Sequence, residues 1–148
     1  MGLFDFLKQA GKDLGAQETA NEREKAAALQ RQIEILGLKV EGLTVEFDDG
    51  VATVRGSTPT QEEKEKIVLT LGNIQGVSQV DDRLTVGKPE AEAVFYTVQP
   101  GDSLSKIAKR HYGNAMKYPA IFEANRPMLT DPDKIYPGQV LRIPPLKG

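Results

Sequence analysis

The chain has 148 residues, enough for one medium domain or two small ones, with 19 Lys and Arg against 21 Asp and Glu. That balance argues against bulk nucleic-acid binding. The absence of cysteine excludes disulfides, thiolate metal sites, a cysteine nucleophile and a lipidated-cysteine anchor.

The balance conceals an asymmetry. Residues 1–93 carry 11 basic and 17 acidic side chains, a net of −6, and residues 94–148 carry 8 and 4, a net of +4. Opposite signs favour docking of the two halves, although exposed ion pairs are individually weak.

Leu3, Phe4, Phe6, Leu7, Ala10 and Leu14 fall on one broad face at helical spacing, predicting an N-terminal helix that ends at Gly11 or Gly15. It is short and its basic residues are Lys8 and Lys12, so docking on a core is favoured over lying on a membrane. The same residues lack a basic leader region, a continuous apolar run and a cleavage site, and no segment is apolar enough to cross a bilayer. Met1-Gly2 resembles a myristoylation start, but Phe6 stands where Ser or Thr is wanted. A soluble cytoplasmic protein is expected.

A second helix follows, carrying Ala27, Ala28, Leu29, Ile33 and Leu36 and ending at Gly37. Residues 43–47 and 51–55 alternate in period two around Asp48-Asp49-Gly50, the pattern of a hairpin. Thr60-Gln-Glu-Glu63 reads as a capping box opening a helix with Ile67, Val68 and Leu71 that stops near Gly72. Residues 77–86 supply a last strand. Residues 88–93 are a short polar linker. Beyond it, residues 95–98 and 140–143 read as strands bounded by Pro100-Gly101 and Pro137-Gly138, with two helical stretches between them separated at Gly113-Asn114. Asp102 or Ser103 can cap the first of these helices.

No catalytic constellation is present. His111 is the single histidine, in a helix beside Tyr112, and neither a P-loop nor a dinucleotide fingerprint occurs. The acid pairs Asp48-Asp49, Asp81-Asp82 and Asp131/Asp133 lack calcium-loop spacing and read as solvated turn acids. A binding protein rather than an enzyme is expected.

The second half carries Tyr-x-Val-x-x-Gly-Asp-Ser-Leu from Tyr96, Tyr-Gly-Asn from Tyr112, Ile-x-x-Ala-Asn from Ile121, and Ile-Tyr-Pro-Gly-Gln-x-Leu-x-Ile-Pro from Ile135. It closely resembles the LysM domain, which implies a β-α-α-β fold. In that family the ligands are N-acetylglucosamine polymers, and the resemblance places a groove at Gly101, Asp102, Ser103, Leu104, Asn125, Ile135, Tyr136 and Pro137. The first half, through residues 50–56, 62–67, Gly76-Val77 and Val80-Asp81-Asp82, resembles the BON domain, with an α-β-β-α-β order and an association with phospholipid. The expected fold class is α+β in two small domains, 1–87 and 94–148.

The combination resembles a family of leaderless cytoplasmic bacterial BON–LysM proteins that bind potassium, over nearly the whole chain. Potassium, a large monovalent cation, can be held by neutral carbonyl oxygens that replace its water shell, and such ligands leave almost no side-chain signature. Free carbonyls occur at helix C-termini, and helices here are expected to end near Gly11 and Gly72. On the residues alone, those glycines and Gly76 read rather as ordinary helix caps and a turn. The family resemblance implies main-chain ligands at Leu7, Ala10, Gly72, Ile74 and Val77, with Gly11 as a further candidate. It also implies a K+ sensor or buffer in which ion binding orders the first domain and its contact with LysM, passing a signal to an unidentified protein partner. The alternatives are a peptidoglycan-type glycan-binding module and, third, a phospholipid-associated protein.

Overall fold

The computed structural model describes residues 2–6, 22–90 and 93–145. The chain divides into two compact units, Met1–Ala91 and Glu92–Gly148. Helices and strands are mixed in each, an α+β class, with a four-stranded sheet in the first unit and a two-stranded sheet in the second.

In the first unit, helix α1 (Glu22–Leu36) packs Ala26, Leu29, Gln32 and Ile33 inward and ends at Gly37, whose φ of +70° suits a left-handed helix stop. The buried stripe is rotated from the expected one: Ala27 is exposed and Ala26 is in the core. Three consecutive alanines give no contrast by which to set the phase, so Leu29 and Ile33 set it.

Strands β2 (Glu41–Asp48) and β3 (Val51–Thr60) pair antiparallel, with Asp48 opposite Val51. Asp49 and Gly50 between them both have positive φ, 46° and 84°, the geometry of a two-residue turn that matches strand twist. Helix α2 (Gln61–Gly72) begins at Thr60, whose side chain accepts the Glu63 N–H at 3.2 Å. Strand β4 (Gln79–Lys88) then runs parallel to β3, so the chain must cross over the sheet, and α2 makes that crossing while packing on both strands. The strand starts two residues later than the alternation suggests because residues 74–77 form a turn, with Gly76 at φ +99°.

The N-terminus departs from expectation. Gly2–Asp5 is not helical but an edge strand, β1, antiparallel to β4 in the order β1-β4-β3-β2. Phe4 stands opposite the buried Val80, and Leu3, 59% exposed, opposite Asp81. Over these residues the N–H and C=O groups that β4 offers to a partner outweigh the helical pattern. The remainder of the expected helix (Leu7, Ala10, Gly11, Leu14) lies outside the described residues.

In the second unit, β5 (Val94–Thr97) pairs antiparallel with β6 (Val140–Ile143), and between them come α3 (Leu104–Tyr112), a 3-10 turn (Ala115–Lys117) and α4 (Tyr118–Ala124). Ser103, not Asp102, caps α3, accepting the Lys106 N–H at 3.2 Å, and Gly113 at φ +74° ends it. The core gathers Val98, Leu104, Ile107, Ile121, Leu129 and Leu141.

Candidate functional site

The expected ion ligands Gly72, Ile74 and Val77 all lie in the segment joining α2 to β4, and the structure brings them into one turn. The Asn73 N–H donates to the Leu69 carbonyl at 2.9 Å, Ile74 to Leu71 at 3.2 Å, and Val77 to Ile74 at 3.1 Å. Among the described residues, the carbonyls of Gly72 and Val77 accept no backbone hydrogen bond. The Ile74 carbonyl accepts the Val77 N–H, and a carbonyl has two lone pairs. The side chains of Ile74 and Val77 are buried, which fixes the main chain from the inside. Leu7, Ala10 and Gly11 lie outside the described residues.

Both ends of this turn are anchored. Gly72 is the last residue of α2, without a positive φ, and a Cβ there would overlap the tip of the Phe6 ring. Gly76 is different: its surroundings are open, and its φ of +99° is what favours glycine. Beyond Val77, the Ser78 carbonyl accepts the Phe6 N–H at 2.7 Å, while the Ser78 N–H and hydroxyl donate to the Gly50 carbonyl at 2.8 and 3.1 Å.

The acids sort differently from expectation. Asp49 occupies the hairpin turn, and Asp131 accepts the Asp133 N–H at 2.9 Å within a turn, as read from the sequence. Asp81 and Asp82 are not turn acids; both lie in β4. Asp81 faces out and pairs with Arg83 at 3.1 Å. Asp82 faces in, 2% exposed at its side chain, with Oδ2 at 3.3 Å from Lys64 Nζ and Oδ1 accepting the Leu84 N–H at 3.0 Å. Burial raises its pKa above the usual carboxylate value, opposed by the Leu84 N–H and by Lys64. The alternation Val80, Asp82, Leu84 carried this signal. Among the described residues, no group of three or more His, Cys, Asp or Glu side chains is placed to hold a metal ion.

In the second unit, most of the expected groove residues have structural work. Leu104 is in the core and Ser103 caps α3. Asp102 accepts from the Tyr96 hydroxyl, from the Gln99 N–H at 2.8 Å and from Arg110 at 3.4 Å. The Tyr96 bond, foremost, lowers its pKa despite desolvation. Asn125 is 1% exposed: its Oδ1 accepts the Arg142 N–H at 2.8 Å, and its Nδ2 donates to the Ile121 and Arg142 carbonyls at 2.8 and 2.9 Å. Gly101, at φ +87°, and Pro137 are exposed in turns; Ile135 and Tyr136 are half-buried, and burial raises the Tyr136 pKa. His111 is exposed and meets the Tyr96 ring edge-on at 5.3 Å.

Among the described residues no helix is long and apolar enough to cross a membrane. The LysM domain model matches residues 96–144 and the BON domain model residues 21–88. The chain is 39% identical over 102 residues to an uncharacterized protein of Deinococcus radiodurans, covering 62% of this chain and 40% of that one. It is 47% identical over 147 residues to the potassium binding protein Kbp of Escherichia coli, covering 97% of this chain and 99% of that protein. Full-length similarity of that order, with both domains matched in sequence, means that the chain belongs to the same BON–LysM family as that protein.

Proposed function

We propose that this protein binds K+ in its first unit, through main-chain carbonyls of Leu7, Ala10, Gly72, Ile74 and Val77 with Gly11 as a further donor, and acts as a cytoplasmic sensor or buffer of the ion. The reading is carried by the turn after α2, in which the Gly72 and Val77 carbonyls accept no backbone hydrogen bond among the described residues. Its position supports the choice of ion. The C-terminal end of a helix carries partial negative charge, and carbonyl oxygens replace the hydration shell of a monovalent cation without the carboxylates that divalent ions recruit. The name of the full-length relative, a potassium binding protein, supports the same ligand. Binding of this kind is an equilibrium function and requires no catalytic group.

The test is isothermal titration of the protein with KCl in K+-free buffer, with NaCl and N-acetylglucosamine oligomers as comparisons. Saturable heat with KCl is expected, lost on deletion of residues 2–11 and kept in Asp81→Asn. By mass action, K+ at a hundred times its Kd should stabilise the protein by about 2.7 kcal/mol. A folded protein that gives no KCl heat refutes the function. Binding that survives the deletion but not Asp81→Asn refutes the carbonyl assignment.

A further inference from the structure

We infer that Phe6 is the positioning residue of the carbonyl-bearing turn, gripping both of its ends and so setting its affinity and its preference among monovalent ions. The inference rests on the K+ reading above and uses residues 6 and 72–78. At the first end, the Phe6 ring occupies the space over Gly72 so closely that a Cβ on Gly72 would overlap it. At the other end, the Phe6 N–H donates to the Ser78 carbonyl at 2.7 Å, the residue directly after Val77. One residue therefore spans the turn that bears the Gly72, Ile74 and Val77 carbonyls.

The chemistry explains why a grip would matter. A carbonyl ligand is a dipole on a main chain, and its direction is set by the turn that carries it. Released at either end, the turn can rotate its oxygens toward water, and a binding event must then supply the ordering. Gly72 is glycine for the ring rather than for its own backbone, because it lacks the positive φ that Gly76 has. Phe6 also follows β1 directly, whose pairing with β4 from Gly2 to Asp5 holds its main chain in place. The Asp5 carboxylate accepts from Gln79 Nε2 at 2.8 Å, a second tie beside the same turn.

The experiment compares the wild type with Phe6→Ala, Phe6→Leu, Gly72→Ala and the double variant Phe6→Ala/Gly72→Ala, each checked for its fold by circular dichroism in K+-free buffer. KCl and NaCl titrations then give two affinities for each. Phe6→Ala and Gly72→Ala should each weaken K+ binding at least tenfold and lower the ratio of K+ to Na+ affinity. Phe6→Leu should recover part of both. The double variant should be no worse than the poorer single one, because the new methyl then meets no ring. A general loss of stability would lower both affinities without moving their ratio. If the wild type binds K+ while Phe6→Ala keeps both its affinity and its ratio, the inference is overturned and the function stands. If the folded wild type gives no KCl heat, the function itself falls.

Discussion

Replacement of Asn125 by Ala should selectively destabilise the second unit. The side chain is sealed from water and makes three hydrogen bonds, tying the end of α4 to β6. Truncation leaves the buried Arg142 N–H without its acceptor, at about 1–3 kcal/mol. The Ile121 and Arg142 carbonyls also lose donors, which adds about 1 kcal/mol each at most because a carbonyl tolerates a vacant lone pair better than an amide tolerates a missing acceptor. The expected cost is about 3–4 kcal/mol, a large share of the roughly 5 kcal/mol available to a small domain. A built-in probe exists. All four tyrosines, at 96, 112, 118 and 136, belong to the second unit, and the chain has no tryptophan. Urea unfolding followed by tyrosine fluorescence therefore reports on that unit alone. With a slope of about 1 kcal/mol per molar urea, the midpoint should fall by about 3 M. A fall of less than about 0.5 M would refute the assignment of Asn125 as a structural clamp.

Two further outcomes follow from the first unit. The pKa of Asp82 is raised above the ordinary 3.8, chiefly by burial, so the fold binds its protonated form more tightly than the unfolded chain does. Its contribution therefore makes stability fall as pH rises from 3.8 through the raised value, and Asp82→Asn should remove that part of the slope in urea melts taken across the interval. An unchanged slope would count against a buried Asp82. Thr60→Ala removes the acceptor for the Glu63 N–H at the start of α2 and should cost about 1 kcal/mol by far-UV circular dichroism melting; no loss would mean that the cap is idle.

What could be read from the sequence was largely what is decided locally. Asp49-Gly50 specifies its turn by its own backbone preferences, Thr60 with Glu63 announces a helix start within four residues, and Asp102-Ser103 announces another without saying which of the two caps it. The β1 strand could not be read this way. Leu3, Phe4 and Phe6 suit a helical face as well as a pleat, and the choice is made by the edge of β4, far along the chain. Asp82 was legible in principle, because it occupies an inward phase between Val80 and Leu84, but the adjacent Asp81 disguised it as part of a solvated pair. The carbonyl turn lies at the limit of such reading. In the proposed site Gly72, Ile74 and Val77 would contribute main-chain oxygen, which every residue type has, so the residues themselves could suggest a helix end and a turn but not a ligand. The role of Gly72 in seating Phe6 was hidden for the same reason as β1.

The register of β1 bears on the order in which the first unit assembles. The hairpin closes through a two-residue turn, and α2 carries β3 directly to β4, so these contacts join neighbouring stretches of chain. The pairing of Gly2 with Asp82 instead encloses almost the entire unit in one loop, and closing a loop of that length must be repaid by four residues of strand and the packing of two phenylalanines. β1 is accordingly expected to dock last, onto a sheet whose other three strands already stand.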